Sequence, residues 1–147
     1  MTKEQLEQWN ICEAVYKLVS LPSRDDQRIA DYFGISVKSV GLMFRAWAAH
    51  NAYKDLIGTW PYATVAAILP VSNIRDFIEY MNITDIPSSR EAARLVAEYK
   101  KQRAEEAAMN EFWDEIKNDN YVKIDGHYIR FSPEEKKPLC DLLGVIL

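Results

Sequence analysis

The sequence predicts a mainly α-helical protein: a helical bundle, followed by a long helix, a β-hairpin and a final helix. Apolar residues recur at spacings of three and four through most of the first 117 positions, which is the period of an amphipathic helix. The period changes to alternation on both sides of an Asp-Gly pair, which is typical of a hairpin. With 147 residues, of which 48% are hydrophobic and 12% aromatic, the chain can bury an ordered core.

The first helix is expected over residues 3–20. Thr2 and Gln5 have the spacing of a capping box, in which each side chain accepts a hydrogen bond from the other residue's backbone N–H. The segment 21–23, Leu-Pro-Ser, interrupts the apolar pattern. The helix should therefore end before it.

A second and a third helix follow, with a tight turn between them. The second is expected over residues 24–33, with Ser23 as its N-cap. Gly34 suits the left-handed conformation that closes a helix. Ser36 should cap the third helix, which is expected over residues 37–49. The apolar face of the third helix comprises Val40, Met43, Phe44 and Trp47.

Two short helices and a break occupy the next part of the chain. Thr59 and Pro61 are expected as the cap and first turn of one helix, which Pro70 ends. Ser72 is expected to start the other. The segment 86–89, Ile-Pro-Ser-Ser, is the clearest break in the sequence.

The break separates an expected domain over residues 1–87 from an assembly region over residues 88–147. Ser88 and Glu91 have capping-box spacing and open a long charged helix that should reach about Lys117. In its second half a basic run is followed at once by acidic residues: Lys100, Lys101 and Arg103, then Glu105, Glu106, Glu111, Asp114 and Glu115. This mixture favours a solvated connecting helix over an arm that binds the DNA backbone.

A hairpin and a final helix are expected at the end of the chain. Residues 121–124 and 127–131 form the two strands, and Asp125-Gly126 supplies the positive φ angles of a type I′ turn. Ser132 should cap the final helix. A lone hairpin is marginally stable, so it needs that helix or a second copy of the chain to cover its apolar face. Residues 105–147 are therefore expected to form a homodimer interface.

Charge and composition narrow the classes of function. The formal net charge is −4 and the pI is about 5.2, which argues against a generally basic coat for nucleic acid and leaves room for a local basic face. The chain shows neither a leader pattern nor a run of eighteen apolar residues, so we expect a cytoplasmic protein with no membrane segment. Without an export signal, Cys12 and Cys140 are expected as reduced, partly buried thiols.

The sequence has few patterns that are typical of metal-binding, phosphate-binding or catalytic sites. No Cys or His pair has the short spacing of a zinc site, and His50 and His127 fit a helix end and a strand. The sequence has no glycine-rich phosphate loop and no Ser or Cys nucleophile in a recognisable setting. We therefore expect no metal, no cofactor, no catalytic residue and no enzymatic activity.

The two helices around Gly34 meet the requirements of a helix-turn-helix. These are a small residue where the helices meet, a glycine in the turn and an apolar anchor in the second helix. Ala30, Gly34 and Val40 stand at those positions. The shared core would be completed by Ile29, Phe33, Ile35 and Phe44.

Two families have similar residues here. The likeness to the helix-turn-helix of lambda-type phage repressors, over about residues 24–54, rests on Ile29-Ala30-Asp31, Gly34, Val40-Gly41, Phe44 and Asn51-Ala52-Tyr53. A looser likeness, over about residues 24–97, is to the DNA-binding domain of ParB-like partition proteins, through GTWPYATVAAILPV at 58–71 and SREAARLV at 89–96. The nucleotide-binding box of that family is missing, so this resemblance implies the DNA-binding module and not a CTP-driven clamp.

Both resemblances imply sequence-selective binding of double-stranded DNA, with the second helix of the motif in the major groove, as in a phage-type or plasmid-type transcriptional regulator or repressor. Mapped by position, the implied DNA-binding residues are Gln27, Arg28, Ser36, Val37, Lys38, Ser39, Leu42 and Arg45. Lys38 would donate to guanine, and Arg45 would meet a phosphate. Val37 or Leu42 would contact a thymine methyl group.

The chain departs from the lambda-type repressors at two positions of the motif. They have glutamines where this chain has Asp26 and Val37, so their paired-glutamine contact does not carry over. Asp26 would repel a phosphate unless Gln27 or Arg28 takes its place.

The competing interpretation is a protein-interaction factor that retains the helix-turn-helix fold. Such a protein would bind a component of the transcription or replication machinery through its acidic surface.

Overall fold

Seven α-helices and two β-strands make up the regular secondary structure of the part of the chain that the computed structural model describes, which is residues 1–118, 121–124, 127–130 and 134. The mainly α class is confirmed. The chain divides into two units, Met1–Tyr99 and Lys100–Leu147. The elements are α1 Lys3–Val19, α2 Asp26–Phe33, α3 Val37–Ala52, α4 Lys54–Ile57, α5 Tyr62–Ile68, α6 Ile74–Tyr80, α7 Ser89–Asn118, β1 Tyr121–Ile124 and β2 His127–Arg130.

Helix α1 begins with the capping box that the sequence predicts. The Gln5 backbone N–H donates to the Thr2 hydroxyl at 3.2 Å, and the Thr2 backbone N–H donates to the Gln5 side-chain oxygen at 2.9 Å. Two of the free N–H groups at the helix start are satisfied in this way. The helix ends at Val19, and the Ser20 hydroxyl donates back to the Tyr16 carbonyl.

Helix α2 starts two residues later than expected, and the prediction that Ser23 is its N-cap is wrong. The Arg24 N–H donates to the Leu21 carbonyl at 3.1 Å, so Ser23 lies inside a turn rather than at a helix start. The Asp25 carboxylate takes the capping position and accepts the Arg28 N–H at 3.2 Å. A carboxylate also interacts favourably with the positive end of the helix.

Gly34 closes α2 and sets the direction of α3. Its φ is 67° and its ψ 35°, the left-handed conformation that glycine adopts without a steric cost. The Ile35 N–H then donates to the Ala30 carbonyl at 3.0 Å. The Ser36 hydroxyl accepts the Ser39 N–H at 3.1 Å and caps α3, as predicted.

Helices α1 and α3 form the centre of the first unit. Tyr16 stacks on Phe44 with ring centroids 4.9 Å apart, and Trp9 lies 6.2 Å from Trp47. Because the earlier residue of α1 meets the later residue of α3, the two helices run antiparallel. Helix α3 extends three residues beyond its predicted end, to Ala52. Its buried residues are Val40, Met43, Ala46 and His50.

The short helices that follow support this centre, and their caps differ from the prediction. Helix α4 was not predicted. Pro61 occupies the N-cap position of α5 without a side-chain hydrogen bond, so Thr59 is not its cap. Asn73, rather than Ser72, caps α6, because its side-chain oxygen accepts the Asp76 N–H at 3.1 Å. Buried residues from the three helices include Ile57, Val65, Ile68, Phe77 and Ile78.

The start of α7 belongs to the first unit. The Ser88 hydroxyl accepts the Glu91 N–H at 3.1 Å, as expected for a cap. Ala92 and Val96 are buried in the core of this unit. Its boundary therefore lies after Tyr99, twelve positions beyond the expected boundary at residue 87.

The second unit contains the rest of α7 and the two strands. Strands β1 and β2 pair antiparallel, with Val122 opposite Ile129. The Asp125-Gly126 turn predicted between them lies outside the described residues. So does the predicted final helix after Ser132, except for Glu134, which is helical and exposed.

His50 is a buried polar residue in the core of the first unit. Its ring stacks on Trp9 with centroids 4.0 Å apart and lies 5.8 Å from Trp47, and its Nε2–H donates to the Gly58 carbonyl at 3.0 Å. Burial lowers the pKa of His50, and the nearby positive charge of Lys54 lowers it further against the opposing effect of the hydrogen bond.

We expect the free energy of unfolding to fall as the pH drops below about 6.5, the pKa of an unperturbed histidine. The unfolded state then takes up a proton on His50 that the folded state resists, so the loss continues down to the lowered pKa of the folded state. Urea unfolding at a series of pH values measures this. The His50→Phe variant should have a flatter profile in the same range, and equal profiles for the two proteins would contradict the prediction.

Candidate nucleic-acid interface

One side of α3 faces away from the core. Val37, Lys38, Gly41, Leu42 and Arg45 follow one another at intervals of one, three or four residues, which places them on a single side of a helix. Lys38, Gly41 and Arg45 are exposed, Val37 is 43% exposed, and Leu42 is half-buried. We call these five residues the α3 outer face. The buried residues of α3 lie on the opposite side, so the core holds the helix while this face stays open.

The junction with α2 fixes the orientation of the α3 outer face. Ala30 is fully buried where the two helices meet, and a larger side chain there would push them apart. Gly34 reverses the chain, and Val40 is fully buried beneath the first turns of α3. The structure thus places Ala30, Gly34 and Val40 together at one helical corner.

The two serines at the start of α3 are used locally. The Ser36 hydroxyl accepts the Ser39 N–H and donates to the Ser39 hydroxyl at 3.0 Å. Both side chains thus organise the first turn. The first N–H groups of a helix have no partner within the helix, so the backbone donors of this turn are suited to an anion such as phosphate.

Lys38 and Arg45 are the positive charges of the α3 outer face. Neither forms an ion pair with any residue in the described part of the chain. They lie seven positions apart, about two turns or 10 Å along the axis. An approaching polyanion would therefore meet two cations that need not break an existing interaction.

The acidic residues of α2 are already engaged. Asp26 pairs with Arg24 at 2.9 Å and accepts a second hydrogen bond from it at 3.2 Å. Asp31 accepts the Gln27 side-chain amide at 2.9 Å. Arg24 thus partly offsets the repulsion expected between Asp26 and a phosphate. Because Arg24 is paired with Asp26, its charge is not available to another ligand.

The eight residues implied by the resemblances do not all share one surface. The structure brings together Val37, Lys38, Leu42 and Arg45, with Ser36 and Ser39 in the turn below them. Gln27 is exposed on α2. Arg28 instead lines a groove between α1 and α2 that also contains Lys17 and Leu18.

Gly41 is a member of the α3 outer face that the sequence-based site did not include. It lies between Val37 and Arg45 at intervals of four residues, and a Cβ built on it would meet no atom within 4 Å. The backbone of α3 is therefore bare at the centre of the face. The helical spacing alone indicates that Gly41 lies on this side of α3. A glycine has no side-chain functional group, so it is not an obvious candidate for a binding residue.

Buried and reactive groups elsewhere do not form a second polar site in the described residues. Cys12 is a free, fully buried thiol, and burial raises its pKa to about 12. Cys12 was expected to be partly buried and is instead fully buried, while Cys140 lies outside the described part. No group of three or more His, Cys, Asp or Glu side chains suited to a metal ion occurs among the described residues.

The helices that the structure describes include none with both the length and the apolar character needed to cross a bilayer.

Comparisons with protein-family models, with curated proteins and with solved structures find no match to this chain.

Proposed function

We propose that the protein binds double-stranded DNA with sequence preference, as a phage-type or plasmid-type transcriptional regulator of the cytoplasm, and inserts α3 into the major groove. The α3 outer face carries this proposal. It presents apolar side chains, a bare backbone and two cations that have no ion-pair partner in the described part of the chain, on a helix whose direction is set at Gly34. Binding of this kind requires no cofactor and no catalytic residue.

The dimensions of α3 suit a duplex. The major groove of B-DNA is about 12 Å wide and admits one helix. Nine residues from Val37 to Arg45 rise about 12 Å, which corresponds to three or four base pairs at about 3.4 Å each. One protomer would therefore contact a short half-site.

The side chains of the face divide into three kinds of contact in this proposal. Lys38 donates to guanine O6 and N7, because it lies in the first turn, where recognition helices meet base edges. Val37 and Leu42 contact the methyl groups of thymine. Arg45 and the N–H groups of the first turn bind phosphates, which set the register without reading sequence.

A second copy of the chain would supply the second half-site. We propose that residues 105–147 form a homodimer. In the described part of this region Met109 is 51% exposed, and Phe112 and Trp113 contact each other with centroids 4.9 Å apart and remain half-buried. A partly exposed apolar stretch on a charged helix is typical of an assembly surface. Light scattering at micromolar concentration tests this, and a monomer mass would contradict it.

Selection of bound fragments from a random pool of double-stranded DNA tests the proposed function. We expect an enriched motif, in two half-sites about one helical turn apart if the protein is a dimer. A parallel selection with the Lys38→Ala, Arg45→Ala double variant should enrich nothing. If the wild-type protein enriches no sequence and retains no DNA at low salt, the proposal of DNA binding is wrong. That result would favour a protein-interaction role.

Replacing Gly41 with alanine is expected to raise the stability of the fold and to lower its affinity for DNA. Gly41→Ala should raise the free energy of unfolding by about 0.5–1 kcal/mol, because alanine is the better helix former and its methyl group meets open space. The same methyl group should lower the affinity for the selected duplex about tenfold, because it holds the backbone away from the base edges. Urea unfolding and a binding titration measure the two effects. If the variant is more stable but its affinity is unchanged, Gly41 does not lie in the DNA interface.

A further inference from the structure

An apolar groove of about 650 Å³ lies between the C-terminal half of α1 and helix α2. It is separate from the α3 outer face, none of whose residues lines it. Leu21 is 50% exposed and Tyr32 is 82% exposed in its walls. Exposed large apolar and aromatic side chains in a concave surface are typical of a protein-binding site.

Residues of α1, of the turn after it and of α2 form the walls. On the α1 side, Ala14 and Leu18 lie one helical turn apart, and Leu21 follows in the turn after the helix ends at Val19. On the α2 side, Ile29 and Phe33 are four residues apart, with Tyr32 beside them. A trough bounded by two helices takes a third helix, whose side chains fit between the ridges of the first two.

The charge at the rim selects the occupant. Arg28 is exposed and forms no ion pair within the described residues. Lys17 pairs at 3.1 Å with Glu13, and both side chains are exposed, so the interaction is weak. Asp25 also lines the groove, but its carboxylate is held by the Arg28 backbone N–H. Arg28 is thus the rim cation without an ion-pair partner among the described residues, and an acidic side chain complements it.

We infer that this groove is a docking site for an amphipathic helix of another protein, with apolar residues at i, i+4 and i+7 and an acidic residue that pairs with Arg28. Apolar walls match apolar anchors and would leave the phosphates of a nucleic acid without partners. The docking site does not depend on the proposed DNA binding, because the two use different faces of the helical corner.

The test uses the full chain and a synthetic peptide pool. The peptides are capped helices of about four turns, with Leu, Phe or Met at i, i+4 and i+7 and glutamate at the flanking positions. A matched pool has lysine in place of glutamate. Fluorescence polarisation should show binding by acidic peptides and at least tenfold weaker binding by their lysine counterparts.

Arg28→Glu should reverse this preference, while Arg90→Glu, an equal charge change on an exposed arginine that does not line the groove, should leave it unchanged. Tyr32→Ala should weaken acidic peptides at least fivefold. Equal binding of both pools, or binding unaffected by Arg28→Glu and Tyr32→Ala, would overturn the proposal.

Two further outcomes would assign the groove to another occupant. If decanoate binds with the same dependence on Arg28 and no peptide binds, the groove is a small-molecule site. Self-association that Arg28→Glu abolishes would make the occupant a second copy of the chain. Both outcomes reject the partner helix. DNA binding of Tyr32→Ala, measured alongside, should match wild type, so failure of the groove proposal is distinguishable from failure of the proposed function.

Discussion

Replacing Lys38 with alanine is expected to weaken binding to the selected duplex by about 1–3 kcal/mol, roughly five- to 150-fold, and to relax the preference for guanine at one position of each half-site. Lys38 is exposed in the first turn of α3 and has no ion-pair partner among the described residues, so its removal leaves the fold intact. A titration against duplexes with each base at that position measures both effects.

Arg45→Ala should behave differently, because a phosphate contact carries no sequence information. We expect affinity to fall by a similar factor for all duplexes, and the slope of log affinity against log salt to become shallower by about one unit. The Lys38→Ala, Arg45→Ala double variant should lose about two units of slope if both cations displace counterions.

Lys3→Ala is the matched control for these two variants. Lys3 is exposed at the start of α1, which meets the C-terminal end of α3 because the two helices are antiparallel. The Lys3→Ala substitution removes one positive charge from the protein and none from the α3 outer face. If all three variants change the salt slope equally, binding reflects net charge alone and α3 does not dock in the groove.

The second large effect is expected at Trp9. Its ring is 4% exposed, stacks on His50 and meets Tyr62 edge to face at 5.9 Å, and its Nε1–H donates to the Trp60 carbonyl at 2.8 Å. Trp9→Ala should lower the free energy of unfolding by about 3–5 kcal/mol, because it opens a cavity and leaves a buried carbonyl without a donor. This is a large share of the roughly 5–15 kcal/mol that stabilises a domain.

Urea unfolding followed by circular dichroism measures the loss at Trp9. Trp9→Phe should cost less than Trp9→Ala, because the phenyl ring keeps most of the packing and loses only the hydrogen bond and part of the volume. Leu6→Ala, on the same helix but 50% exposed, is the control and should change stability by less than about 1 kcal/mol. A loss at Trp9 no larger than at Leu6 would contradict the packing described for α1.

The stability of the first unit and the orientation of the α3 outer face are coupled at the helical corner. Val40 and Ala30 are fully buried in the same core as Trp9. The outward residues of α3 can therefore present a fixed arrangement to a ligand, which gives specificity without reorganisation on binding.

Local hydrogen bonding explains why much of this fold is readable from the sequence. The capping box at Thr2, the Ser36 cap and the left-handed Gly34 each depend on residues within three or four positions of one another. Helical spacing likewise predicted which residues of α3 face outward, including Lys38 and Arg45. Such features need no knowledge of distant contacts.

Competition between neighbouring caps could not be resolved in this way. Ser23 and Asp25 are both good N-caps, as are Ser72 and Asn73. Which residue caps depends on where the preceding turn ends and how the next helix packs, and the turn from Leu21 to Arg24 decides the first case. The difference is one or two residues in sequence but changes which backbone groups need partners.

Tertiary packing alone decided the environment of His50 and the surface to which Arg28 belongs. The neighbours of His50 include Trp9, 41 positions earlier, and its burial follows from the antiparallel pairing of α1 and α3. Arg28 has the charge and the sequence position of a DNA contact, and the packing of α1 beside α2 places it instead in an apolar groove. Sequence period determines which side of a helix is polar, but only the neighbouring helix determines what that side faces, because the contacts come from residues far away in the chain.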